Sequence, residues 1–333
     1  MGYTLSEHRF RAMNTEVAAW LWSDIGHAAV WLHEVEAFFG EVEAELSRFR
    51  PDSGLSRLNA AAGQGPQPVS ELLETVISLA LKAAEESDGL FDPTVLHALR
   101  RVGYDRSFEL LADPPAQDAG QPVSLNGNGA SGDGATINWR AVELNSILGT
   151  VALPAGMGLD LGGIAKGWTV DRAAEMLGAW GAAMVDAGGD IRVSAAAGGE
   201  PWPIGIQHPF DPTRDLGVIA LDGGAVVTST VGRRQWQRDQ QPMHHLIDPR
   251  TGKPSQSDLH TVTVLAPTAA SAEVAAKVAL ILGSDRGRAH LMAQGFSGVL
   301  VDRTGRVEMV GEPMVGEPVI EGIETWIPNQ TLI

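Results

Sequence analysis

Asp160-Leu161-Gly162-Gly163-Ile164-Ala165-Lys166-Gly167 reads as a short apolar approach, a glycine pair and the opening of a helix that runs to about Ala179. Glycines at a helix start let a ligand come close to the backbone, where free N–H groups and the helix dipole favour a phosphate. Lys166, one turn in, supplies a cation. The stretch is not a Walker A loop, because the order Gly-Lys-Ser/Thr is absent. It also fails the dinucleotide fingerprint: Gly156-x-Gly158 is followed by Leu161 where the third glycine belongs. A packing reading stands beside the phosphate reading, since a glycine pair also lets helix and strand approach closely.

Before this stretch, Val17 to Trp22 reads as a strand. Val35, Phe38, Phe39, Val42, Leu46 and Phe49 then recur at spacings of three and four, the mark of one buried helix face, which Pro51 stops. Ser70 caps a second helix, Glu71 to Ser87, with Gly89 just past its end. Residues 112–136 are rich in Pro, Gly and Asn and read as a flexible loop between two lobes. After the stretch come strands at Ala183–Val185, Ile204–Gln207, Val226–Ser229, His244–Ile247 and Thr261–Leu265. A helix from about Ala269 to Leu282 ends at Gly283, and strands follow at Gly298–Val301 and Val307–Val310. Strands and helices segregate rather than alternate, which indicates an α+β fold over a doubly wound sheet.

At 333 residues and 44% hydrophobic, the chain suffices for one large domain or two lobes with cores of their own. Its longest apolar run falls short of the roughly 20 residues that span a bilayer, so no membrane insertion is expected. The N-terminal MGYTLSEHRFRAMN lacks the apolar core of a signal peptide. There is no cysteine, hence no disulfide, thiolate metal site, cysteine nucleophile or lipidated cysteine, and a cytoplasmic location is expected. With a formal charge of −17 and no basic patch, nucleic acid is not an expected partner. An anionic ligand would have to be met by local cations or backbone N–H groups.

Three further groups bear on chemistry. Phe91-Asp92-Pro93-Thr94 follows the Gly89 helix stop and either offers an aromatic face and a carboxylate to a flat ring, or is a turn with Phe91 in the core. His244 and His245 are neighbours in a strand, so they point to opposite faces and do not share a metal; one of them either serves as a general base or is a hydrogen-bonded, half-buried histidine. Glu273 and Lys277 stand four apart on a helix, which reads as a solvated ion pair or as a pair at the ligand end of that helix.

Taken in order, a set of segments resembles the ApbE family. They are Ala12-Met13-Asn14-Thr15, Leu46 to Ser53 with Ser56-Arg57-Leu58-Asn59, Gly89 to Thr94, Asp160 to Gly167, Asp186-Ala187-Gly188-Gly189-Asp190, His245 to Gly252 ending in Pro254, and Ala266-Pro267-Thr268. The resemblance covers roughly residues 10 to 285. It implies a single catalytic domain over 1–333 with the two-lobed, T-fold-like architecture of that family, and FAD in a cleft between lobes. The implied activity is transfer of FMN from FAD to a threonine hydroxyl of a carrier protein, releasing AMP. The alternatives are an FAD pyrophosphatase and a non-catalytic FAD-binding protein. Implied flavin and adenine contacts are Met13, Phe49, Leu90, Phe91, Asp92, Asp160, Lys166 and Ile247, with His245 as the general base.

A magnesium ion is implied too, held by the Gly163 backbone and by an Asp and a Thr on the late helix. Here those two positions are Glu273 and Lys277. An ammonium repels a cation and removes an oxygen ligand. Two outcomes are open: Lys277 stands in for the metal as a fixed charge, or the ion moves and uses other oxygens. Milder departures are Asn14 for a glycine, Phe49 for a tyrosine and Asp186 for an asparagine.

Overall fold

A computed structural model describes residues 2–108, 137–238, 241–311 and 331–332. The segment 112–136, expected as a loop between lobes, lies outside the described residues. Strands β1 (Thr4–Ala12) and β2 (Thr15–Ser23) form a hairpin turned by Met13 and Asn14, both at positive φ (51° and 58°). That is the two-residue turn whose twist matches the flanking strands. Asn accepts the left-handed region readily, whereas Met does not. The turn therefore holds Met13 in a conformation that the strands and α1 (Ala28–Leu46) must enforce; the Met13 N–H donates to Glu43 Oε2 of that helix at 3.0 Å.

Helix α1 buries Leu32, Val35, Phe39, Val42 and Leu46. It ends at Leu46, not at Pro51: Ser47 is already extended, and Phe49 lies outside the helix, its ring against Tyr104 at 5.7 Å. Helices α2 (Gly54–Ala60, capped by Ser53), α3 (Glu71–Glu86, capped by Ser70 as expected) and α4 (Leu96–Arg101) follow. Short strands β3 (Gln67–Pro68), β4 (Glu143–Asn145) and β5 (Thr150–Ala152) make a small separate sheet. With Leu55, Leu73, Ile77, Phe91, Leu159, Leu161 and Ile164, helices α2 and α3 enclose one apolar core, while α4 packs Ala98 and Leu99 with Tyr104 and Ile247.

The second core lies on a nine-stranded antiparallel sheet ordered β1-β2-β6-β7-β10-β15-β16-β17-β18. Its further strands are β6 (Ala182–Ala187), β7 (Asp190–Val193), β10 (Gly224–Thr230), β15 (Leu259–Ala266), β16 (Ser297–Asp302), β17 (Val307–Val310) and β18 (Thr331–Leu332). One face carries α1, α5 (Ala165–Gly178) and α6 (Ala269–Leu282), with α7 (Ser284–Ala293) beside α6. The hairpin of β8 (Trp202–Gln207) and β9 (Asp215–Leu221) supplies a cover for the other face. Strand periodicity sorts the side chains: Ala225 and Val227 pack with the helices, while Val226 between them packs with Trp202 and Ile219. The α+β class read from the sequence is the one observed. No helix among the described residues is long and apolar enough to cross a membrane.

Helix α6 starts at the seam between the two cores. Thr268 caps it, and Asp171 of α5 takes its next two N–H groups, Ala269 at 2.7 Å and Ala270 at 2.9 Å. Burial pushes the Asp171 carboxyl up to about 6, against the pull of these two bonds and of Arg192. Asp171→Ala strands two buried donors and is expected to cost about 2–3 kcal/mol in denaturant unfolding, with Asp171→Asn losing less because one oxygen still accepts. A loss below about 0.5 kcal/mol, the scale of an ordinary surface change, would show that the cap carries no weight.

Candidate functional site

Between the two cores opens a cleft, about 1140 Å³ when its solvent-open mouth is included, shaped by the β1–β2 turn, the C-terminal end of α1, the turn before α4, the start of α5, the α6 side chain Lys277 and the segment 245–249. Met13, Phe49, Leu90, Phe91, Asp92, Asp160, Gly163, Lys166, His245 and Ile247 all border it. These are site residues that the family resemblance implies, brought from five separate segments into one cavity. Glu273 alone is not on its wall; Lys277, one turn further along α6, is.

Arg48 organises one side. Its Nε pairs closely with Asp160 Oδ2, and Nη1 donates to Tyr104 O at 2.9 Å. Its guanidinium lies over the rings of Phe49 (4.1 Å) and Tyr104 (4.5 Å). Tyr104 in turn stacks on Trp236 of β11 (Gln235–Arg238), whose Nε1 donates to Val102 O. The result is a fixed aromatic wall. Arg48 falls in the Leu46–Ser53 segment, whose pattern marks it; Tyr104 and Arg234, also on the cleft, lie in stretches with no local mark.

Asp92 borders the cleft and at the same time holds the turn before α4. Its Oδ1 accepts from Thr94 N (2.8 Å) and Thr94 Oγ1 (2.6 Å), and its Oδ2 from Trp139 N (3.2 Å). Both oxygens are committed to holding the turn, although burial raises the carboxyl above its ordinary range. Phe91 is at once core and cleft wall: it is buried among the α3 side chains and has Lys277 Nζ 5.6 Å from its ring centre.

The two histidines part at a break in the chain. His244 ends β12 (Gln241–His244), and the strand does not continue to Ile247 as expected; β13 (Ile247–Asp248) is a separate piece paired with β14 (Lys253–Pro254). His244 is buried, with Nε2 bonded to Ser255 O at 2.9 Å and Nδ1 accepting from Leu246 N at 3.3 Å. Both nitrogens are used, and the ring is neutral. His245 faces the cleft beside Tyr104, and its Nδ1 has no hydrogen-bond partner among the described residues. Burial first, then the charges of Arg234 and Lys277, hold its pKa well below the usual imidazole range. It is a neutral base poised next to cations.

The helix start is less open than a bare glycine loop would be. Gly162 N donates to Asp160 Oδ1 at 2.9 Å, and Gly167 N donates to Glu273 Oε2 at 3.0 Å. Lys166 is also engaged: Nζ donates to Ala187 O at 2.9 Å and lies 2.6 Å from Asp190 Oδ2, a charge contact off the hydrogen-bond axis. That leaves Lys277 and Arg234 as cleft cations with no carboxylate within 4 Å among the described residues. A Cβ on Gly163 would coincide with the Lys277 ammonium, so the ammonium rests directly on that glycine.

Comparison with known proteins now decides the lineage. The ApbE family profile spans residues 13–301. The chain belongs to the ApbE family. It is 34% identical over 288 residues to the FAD:protein FMN transferase of Treponema pallidum, covering 82% of this chain and 76% of that one. With the enzyme of the same name from Haemophilus influenzae it shares 30% over 261 residues, 76% and 72% of the two chains. Among solved structures, the ApbE protein of Thermotoga maritima superposes with a TM-score of 0.80 at 25% identity, covering 92% of this chain and 97% of that one. The flavin transferase ApbE of Vibrio cholerae shares the fold at a TM-score of 0.75 and 24% identity, with the same coverage.

The magnesium ion that the ApbE resemblance implies does not fit the donors present. Glu273 is buried and turned to Gly167 N; burial and the charge of Asp190 push its carboxyl up to about 7. The Asp160 carboxylate is matched by Arg48 and that of Asp190 by Lys166. At Gly163 stands an ammonium instead of an oxygen. Among the described residues, the one ring of metal-capable donors is His8, His33 and Glu36, none of which borders the cleft.

Proposed function

We propose that this protein transfers the FMN half of FAD to a threonine hydroxyl of a carrier protein and releases AMP, the whole chain acting as one catalytic domain. The observation that carries this reading is the meeting of a neutral imidazole, His245, with an unpaired ammonium, Lys277, in a cleft walled by Phe49, Tyr104, Leu90 and Ile247. The flat isoalloxazine suits the aromatic and aliphatic wall. The diphosphate suits the end of the cleft at Gly162, Gly163 and Lys277, where the α5 dipole also points.

The chemistry balances. The hydroxyl oxygen forms a new bond to the flavin-side phosphorus, and the bond from that phosphorus to the bridging oxygen breaks. The electron pair leaves on AMP, and the hydroxyl proton passes to His245. A threonine hydroxyl is a poor nucleophile at neutral pH and needs such a base. The ammonium stabilises charge on the leaving oxygen. If water takes the place of the hydroxyl, the same groups give an FAD pyrophosphatase. Mass spectrometry after incubation with FAD and threonine-bearing carrier fragments separates the outcomes. Transfer raises the carrier mass by one FMN with AMP released in equal amount. Free FMN supports hydrolysis, and intact FAD after prolonged incubation overturns both catalytic readings.

A further inference from the structure

We infer that Lys277 replaces the divalent cation in this cleft, so that the diphosphate of FAD is held and cleaved without a metal ion. This rests on the flavin-transfer reading above and adds to it the identity of the charge that meets the phosphates. Four features of the cleft carry it. The ammonium rests on Gly163, and any side chain there would displace it; the glycine is thus the residue that makes room for the lysine. No described carboxylate comes within 4 Å of the ammonium; burial pulls its pKa below the usual lysine range, while Glu273, Asp160 and Asp190 support its charge from further off.

The third feature is the state of the oxygens. A magnesium ion needs about six oxygen ligands at roughly 2.1 Å, several of them commonly water. The carboxylates around Lys277 each face a protein partner: Asp160 accepts from Arg48 and Gly162 N, Glu273 accepts from Gly167 N, and Asp190 lies against the Lys166 ammonium without a hydrogen bond to its Oδ2. Asp160 is the most committed, with Oδ2 on Arg48 and Oδ1 on Gly162 N, and recruiting it to a metal breaks a contact that shapes the cleft. Finally, the ammonium lies over the Phe91 ring, 5.6 Å from its centre, a contact that suits a cation. A fixed ammonium and a bound magnesium do the same electrostatic work on a leaving phosphate, and the two positive charges exclude one another at this spacing.

Calorimetric titration with FAD, with excess EDTA or with magnesium, tests this on the full chain, with AMP release followed in parallel. Wild type is expected to bind FAD with a Kd that agrees within about twofold between the two conditions, and to release AMP in both. Lys277→Met keeps the length and removes the charge; it is expected to weaken FAD roughly tenfold to hundredfold in either condition. The pair Lys277→Thr with Glu273→Asp restores oxygen donors and is expected to make FAD affinity rise with magnesium. Wild-type binding or turnover that appears only with a divalent ion overturns the inference and leaves the flavin reading standing. Failure to bind FAD under any condition, by protein with a cooperative melt, removes both. The wild-type comparison decides even if a variant does not fold.

Discussion

His245→Ala is expected to slow AMP release and carrier flavinylation by roughly 10² to 10⁴-fold, the range for losing a positioned general base. FAD affinity should change little, because in the proposed reaction the side chain serves the acceptor hydroxyl and not the dinucleotide. The environment sets the accompanying pH behaviour. Protonated His245 is disfavoured by burial and by Arg234 and Lys277, so the working neutral form persists below the ordinary imidazole range. A base with a depressed pKa loses activity only when pH falls through that depressed value. The kcat/KM profile, which reports the free enzyme, should therefore stay flat on the acid side of neutrality, and His245 adds no limb near about 6.5. An alanine variant with near wild-type turnover would remove His245 from the chemistry. An acid limb at or above the ordinary imidazole value would show that the cations do not reach it.

Much of this arrangement was legible from the sequence because helix ends carry chemical marks. Ser70 announced α3 and Gly283, at φ +83°, announced the end of α6. Helix α1 ends before the position its periodicity predicts because Phe49 keeps the helical spacing yet is apolar for another reason: it lines the cleft and packs against Tyr104 and its neighbours, apart from the core that α1 buries. Period alone cannot separate the two causes. His244 and His245 were read as one strand because nothing local marks the break after His244; the break comes from His244 bonding Ser255 and Leu246. Tyr104 and Arg234 reach the cleft only through tertiary placement. Glu273 and Lys277 have the spacing of a solvated pair, but both helix faces around them are covered, and they turn to different partners, Gly167 and Gly163. Spacing records which residues share a helix face and is silent on what that face meets.

Gly167→Ala should be among the most destabilising single changes outside the large apolar side chains. A Cβ at this position would stand 2.7 Å from Ala269 O, 2.8 Å from Ala269 C and 2.8 Å from Ala270 N. These are backbone atoms of the α6 start, and no rotamer relieves them. Asp171, four residues further along α5, bonds the N–H groups of the same two residues. Gly167 and Asp171 thus dock the two helices by one close approach and one double cap. Forcing α6 outward stretches the cap, breaks the Gly167–Glu273 bond and withdraws Lys277 from Gly163. The expected loss is about 3 kcal/mol, a melting temperature lower by roughly 4 °C in a chain of 333 residues. Because both residues act on one helix start, Gly167→Ala and Asp171→Ala should cost less together than their sum.

Gly162→Ala is the contrast: its Cβ would meet only the Asp160 carboxylate, nearest at 3.1 Å, so stability should hold within about 0.5–1 kcal/mol while FAD affinity falls. The packing and phosphate readings of the glycine-rich stretch then divide between residues, Gly167 serving the first and Gly162 with Gly163 the second. Equal melting temperatures for the two variants would collapse that division.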